Sequence, residues 1–102
     1  MARWVRSYWD EEDTWFVLEL DSEGWVTRQV DLRGPTATPV TAASLSEWCR
    51  ELDAGRIGEY QATYGVLTEK PIEPAELVEF EEISAAEFER VWQHARRVLG
   101  AG

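Results

Sequence analysis

Cysteine, lysine and histidine each occur once in this chain of 102 residues, as Cys49, Lys70 and His94. A lone cysteine excludes an intramolecular disulfide, and one cysteine with one histidine cannot furnish a structural zinc site. Long apolar runs are missing as well: stretches such as Trp15-Phe16-Val17-Leu18 fall far short of the roughly 18 residues that cross a bilayer. A membrane span is excluded. Met1-Ala2-Arg3-Trp4 leads into polar and aromatic residues with neither an apolar h-region nor a small-residue cleavage site, so a cytoplasmic location is expected.

Basic residues are also scarce, 10 against 20 acids, for a formal net charge of −10. Phosphate contacts need basic patches, so nucleic acid is excluded as a partner. Gly55, Gly58 and Gly65 are spread without a phosphate-cradling spacing, and Ser7, Ser22, Ser44, Ser46 and Ser84 lie in no nucleophile elbow. His94 has no neighbouring nucleophile or carboxylate motif and reads as a helix-flank residue. Asp10-Glu11-Glu12-Asp13 lacks the alternating ligands and turn glycine of a calcium loop and reads as a solvated turn. Nothing here supports catalysis, a metal or a cofactor.

What the chain has in excess is acid and tryptophan, the latter at positions 4, 9, 15, 25, 48 and 92. Its length suits one domain, residues 1–102. The first third reads as strands. Arg3 to Trp9 alternates Val5 and Trp9 against Trp4 and Tyr8; Thr14 to Leu20 sets Phe16, Leu18 and Leu20 against Trp15, Val17 and Glu19; Asp21 to Gly24 is a turn; Trp25 to Leu32 returns. Arg33 to Thr41, with Gly34, Pro35 and Pro39, reads as a loop. Ser44-Leu45-Ser46-Glu47 is a capping box that opens a helix with an apolar stripe of Leu45, Trp48, Cys49 and Leu52, stopped at Gly55. That stripe assigns Trp48 and Cys49 to the core.

Glu59 to Leu67 reads as a strand, Pro71 and Pro74 mark a loop, and Leu77 to Ile83 reads as a short acidic strand. Ser84-Ala85-Ala86-Glu87 caps a last helix in which Phe88, Val91, Trp92, Ala95, Val98 and Leu99 keep helical spacing, with Arg96 and Arg97 complementing its dipole. The expected fold class is thus α+β: a single domain of order β-β-β-α-β-β-α, an antiparallel sheet with two amphipathic helices packed on one face.

The acids are unevenly spread. From Glu69 to Glu89 there are eight acids against Lys70 alone, a local net charge of −7. Such a stretch speeds encounter with a basic protein. Trp15 and Trp25 occupy the more polar faces of their strands, where a ring can anchor a partner. The candidate binding residues are therefore Trp15, Trp25, Glu73, Glu76, Glu79, Glu81 and Glu82.

The stretch Phe80-Glu81-Glu82-Ile83-Ser84-Ala85-Ala86-Glu87-Phe88-Glu89-Arg90-Val91-Trp92 resembles the ending of small bacterial α+β domains of actinobacterial type, in which E-I-S leads into a helix containing E-F-x-x-V-W. The start is similar too, with a strand ending Glu19-Leu20-Asp21 and then Gly24-Trp25. Acidic α+β domains of this kind include immunity proteins that neutralise bacterial toxins, so the resemblance implies an immunity-like role; it supplies no catalytic residues. Nine arginines against one lysine suit a high-GC bacterial source. The expected function is an acidic, non-enzymatic module that binds and inhibits a basic protein. The alternatives are a small-molecule binding protein or small biosynthetic enzyme with a tryptophan-lined pocket, and a homodimer joined through an aromatic sheet face.

Overall fold

The computed structural model describes residues 1–100, which form an α+β domain built on one antiparallel sheet. The elements are β1 (Arg3–Trp9), β2 (Thr14–Leu20), β3 (Val26–Arg33), β4 (Thr38–Ser44), α1 (Leu45–Asp53), α2 (Ile57–Tyr64), α3 (Pro74–Leu77), β5 (Glu81–Glu82) and α4 (Ala85–Gly100). Strands β1 to β4 form a meander and β5 adds outside β1, giving the order β4-β3-β2-β1-β5.

Strand alternation divides the core into two clusters, because neighbouring side chains leave opposite faces of a sheet, and a register shift between Glu19 and Leu20 moves Val26 to the face opposite Val30. Val17, Val30 and Ala42 meet Phe88, Trp92 and Ala95 of α4 on one face. Val5, Leu18, Leu20, Val26 and Ala43 meet Tyr60, Leu67 and Ile72 on the other. The helices therefore divide between the faces instead of sharing one. Helix α4 covers the first alone, while α2 and the segment after it close the second with help from Trp48, Ile57, Tyr64, Leu77 and Phe80.

The element order differs from the expected one in three places. Thr38 to Ser44 is a strand despite Pro39. Proline is tolerated there because β4 is an edge strand, and the register slips by one residue beside it. Ala42 and Ala43, poor strand formers by propensity, are fully buried, because the strand needs small side chains under α4 and against Tyr60. Glu59 to Tyr64 belongs to a helix: Ile57, Tyr60 and Tyr64 fall at helical spacing on the core side, and Gly65 ends the helix at φ +81°. Of Leu77 to Ile83 only Glu81 and Glu82 form a strand. Pro74 opens the short helix α3, and a turn in which Phe80 N–H donates to Leu77 O carries the chain inward.

Both serine caps form. Glu47 N–H donates to Ser44 Oγ at 3.5 Å and Glu87 N–H to Ser84 Oγ at 3.0 Å. The apolar stripe of α1 is another matter. Leu45, Cys49 and Leu52 are exposed and Trp48 is only half-buried, so the helix buries none of its residues fully. Cys49 is a surface thiol, not a core residue.

Candidate functional site

The site is built on the turn between β2 and β3. Asp21 Oδ1 accepts the N–H groups of both Glu23 and Trp25 at 2.9 Å, and Asp21 N–H donates to Trp25 O at 2.9 Å. This Asx-type turn fixes the backbone from which the Trp25 ring stands out. Gly24 adopts φ +87°, and a Cβ there would lie 2.7 Å from the carbonyl oxygen of Ile72. Ile72 N–H in turn donates to Gly24 O at 2.8 Å, so the acidic segment is seated directly on the turn. A second tie comes from buried Gln29, whose Oε1 accepts from Thr68 N–H at 2.9 Å and from Thr68 Oγ1 at 3.0 Å.

These ties frame an open groove of about 270 Å³ between Trp25, Leu45, Trp48 and Leu67, with Glu69 on its rim. Its walls are apolar. Trp25 is 40% exposed, so its indole offers an apolar face to solvent beside a carboxylate. Glu73 lies between Ile72 and Pro74, which line a neighbouring cleft with Asp21, Glu23 and Gly24. Glu69, Glu73, Glu76 and Glu79 have no basic partner among the described residues. Glu81 and Glu82 differ: on β5 they pair with Arg6 at 2.9 Å and Arg3 at 3.1 Å. The Arg6 hydrogen bond and charge hold the Glu81 carboxyl below its ordinary value.

Trp15 stands elsewhere. Leu20, at the opposite end of β2, pairs with Val26 beside Trp25, whereas Trp15 pairs with Leu32, so the two rings mark opposite ends of the hairpin. Trp15 stacks obliquely on Tyr8 with centroids 5.1 Å apart, and the Arg6 guanidinium lies 5.3 Å from its centroid. It lines a second open groove, of about 380 Å³, with Arg6, Leu32, Ile83, Glu87 and Arg90. The expected surface thus separates into two: Trp25 with Glu69, Glu73 and the acids that follow, and Trp15 with the Arg6–Glu81 pair. Neither groove is an enclosed cavity.

Leu45, Trp48 and Leu67 are the site residues that sequence reasoning placed in the core or left out. The signal was present in the apolar stripe of α1. Its exposure was not, since a stripe shows only that a helix has an apolar side and not what covers it.

Two further polar clusters are internal ties. Glu19 accepts from Arg28, from Trp4 Nε1 at 3.0 Å and from Thr27 Oγ1 at 2.9 Å. The Arg28 hydrogen bond outweighs burial and lowers its carboxyl, while the same bond raises the Arg28 guanidinium. Arg96 donates to Glu47 and, at 2.8 Å, to the carbonyl of Ala42. Burial pushes the Glu47 carboxyl up, but hydrogen bonds from Arg96 and Tyr60 more than offset it and the net shift is downward. Both guanidiniums lie over the Trp92 ring, Arg28 at 5.1 Å and Arg96 at 4.4 Å from its centroid. Among the described residues no buried side-chain nitrogen or oxygen lacks a hydrogen-bond partner, which leaves the clusters structural.

Among the described residues no group of three or more His, Cys, Asp or Glu side chains is arranged to hold a metal ion, and His94 is exposed. No helix among the described residues is long and apolar enough to cross a membrane. The fold and site define a small antiparallel α+β domain with open aromatic grooves and an unneutralised acidic flank. Comparison with family models, curated proteins and solved structures finds no match.

Proposed function

We propose that this domain is an acidic, non-enzymatic binding module for a basic protein, acting in the cytoplasm as an immunity-like inhibitor of the kind its ending resembles. The observation that carries the reading is the Trp25 groove: an open apolar cleft with a half-exposed indole, beside a run of carboxylates with no basic partner among the described residues. A partner's lysine or arginine can lay its apolar stem along Trp25 and Trp48 and bring its charge to Glu69. Glu73, Glu76 and Glu79 then raise the encounter rate without needing individual contacts. In this reading Trp25 is the anchor; Glu81 and Glu82 contribute less, because Arg3 and Arg6 already neutralise them.

Open grooves favour a protein partner over a small ligand, which needs most of its surface enclosed. The test is a fluorescence titration with arginine-rich peptides that carry leucine or no apolar residue, at low and raised salt. Binding that weakens with salt and is lost in Trp25→Ala supports the module. Affinity unchanged by salt or by Trp25→Ala overturns it, and light scattering that finds a dimer closed over Trp25 returns the homodimer reading.

A further inference from the structure

The two edges of the sheet are finished differently. Toward the end of β4, helix side chains occupy two of the open groups: Arg96 Nε donates to Ala42 O and Tyr60 Oη accepts from Ser44 N–H at 2.9 Å. Such covering is how proteins keep an edge from pairing with another chain. On the other side β5 pairs only Glu82 with Val5 and Glu81 with Arg6, followed by a hydrogen bond of 2.9 Å from Ile83 N–H to Trp4 O. Trp4 and Arg6 thus present their backbone groups to β5, and antiparallel alternation puts the N–H and C=O of Tyr8 next on that edge. The chain turns away at Phe80, whose ring packs against the core, and no described group hydrogen-bonds the outward backbone of Tyr8.

This bare stretch, Ser7 to Trp9, is flanked by aromatics on both faces. Tyr8 stacks on Trp15 on one, Trp9 lies 6.1 Å from Phe16 on the other, and Tyr8 and Trp9 are each 45% exposed. Beyond it Asp10, Glu11, Glu12 and Asp13 form no ion pair among the described residues; the Asp13 carboxylate accepts from Tyr8 Oη at 2.6 Å. We propose that Ser7–Trp9 is an acceptor edge for an extended, basic segment of a protein partner, which adds a strand antiparallel to β1 in line with β5.

Its side chains alternate between the Tyr8–Trp15 face and the Trp9–Phe16 face, and a lysine or arginine at its end meets the four acids. A second copy of this chain fits poorly: antiparallel pairing centred on Tyr8 sets its Asp10 beside Arg6, where β5 already lies. The inference rests on the basic-partner reading but uses a surface at the other end of the hairpin from Trp25.

Two hexapeptides of equal charge test it, one alternating arginine and valine, the other with proline for valine, which cannot form a strand ladder. By nuclear magnetic resonance the alternating peptide should slow amide exchange at Tyr8 and bind about tenfold tighter than the proline peptide, the equivalent of one or two hydrogen bonds. Tyr8→Pro removes the outward N–H at a position where an edge strand accepts proline, and should abolish that preference. If Tyr8→Pro does not fold, Tyr8→Ala keeps the backbone donor and should retain protection at residue 8. Equal affinity for the two peptides, no binding, or an unprotected Tyr8 amide overturns the edge. Where those failures coincide with binding that still depends on Trp25, only the edge proposal falls; where Trp25→Ala also has no effect, the basic-partner reading falls with it.

Discussion

Tyr60 Oη accepts the backbone N–H of Ser44 at 2.9 Å and donates to Glu47 Oε1 at 2.8 Å. In a capping box the glutamate three residues after the cap would take that N–H itself. Here a tyrosine from α2 is inserted between cap and glutamate, and Glu47 is turned instead toward Arg96 of α4. One hydroxyl thereby joins the end of β4, the start of α1 and the last helix.

Tyr60→Phe should cost about 1–3 kcal/mol, because it leaves the Ser44 amide without a partner at a buried site. Burial, the largest effect, and the Glu47 hydrogen bond push the Tyr60 hydroxyl up to about 12 from 10.0. A folded-state value above the unfolded one means this stabilisation is complete below pH 10.0 and is lost as pH rises toward about 12. Urea unfolding of wild type and Tyr60→Phe across that range should show the difference narrowing.

Glu47→Gln addresses the opposite limb. The Glu47 carboxyl sits below its ordinary 4.5 in the folded state, so its contribution is full above pH 4.5 and fades as pH falls through the lower folded value. The variant should lose about 1.5–3 kcal/mol at pH 7, the range for a hydrogen bond to a charged group. Thermal melts should show the gap closing on acidification. Asp31, whose carboxyl burial pushes up, works in the other direction and relieves a cost as pH falls, so the wild-type acid limb should be shallower than Glu47 alone implies.

Gly24→Ala joins two penalties, a positive φ and a Cβ 2.7 Å from Ile72 O. The strain of a left-handed residue alone is about 1–2 kcal/mol. The expected outcome is faster amide exchange at Ile72 and Thr68 and weaker binding of basic peptides, while protection in α4 is kept. Uniform loss of protection throughout the sheet would show that the turn supports the whole fold and not the groove alone.

Phe88→Ala and Trp25→Ala should separate stability from recognition. Phe88 is fully buried and stacks on Trp92 at 6.3 Å, so its truncation should cost about 3–5 kcal/mol. Trp25 is 40% exposed and its truncation should cost less than about 1.5 kcal/mol while removing the anchor for a basic partner. Chemical denaturation and peptide titration on the same two variants check both halves.

Local patterns carried much of this fold. Alternation from Arg3 to Leu32 marked three strands, serine caps at Ser44 and Ser84 marked two helices, and the spacing of Phe88, Trp92 and Ala95 marked the buried side of α4. These signals are legible because each depends only on neighbours a few residues away. Thr38–Ser44 and Ile57–Tyr64 were not: Pro39, following Gly34 and Pro35, looks like part of a loop, and tyrosines with threonine and valine look like a strand, until the helices and β3 that pack on them are in place.

The candidate site divides the same way. Composition by itself determined an acidic, tryptophan-rich chain without a disulfide or zinc set, and charge counting placed the acids between Glu69 and Glu89. Only the tertiary structure decided that Arg3, Arg6 and Arg28 neutralise Glu82, Glu81 and Glu89 while Glu69 to Glu79 have no basic partner among the described residues, and that Trp25 shares a groove with Trp48 but not with Trp15. The reason is physical. Whether a charge is free or a ring exposed depends on strand order and on which element covers which face, and those are long-range contacts that no spacing along the chain encodes.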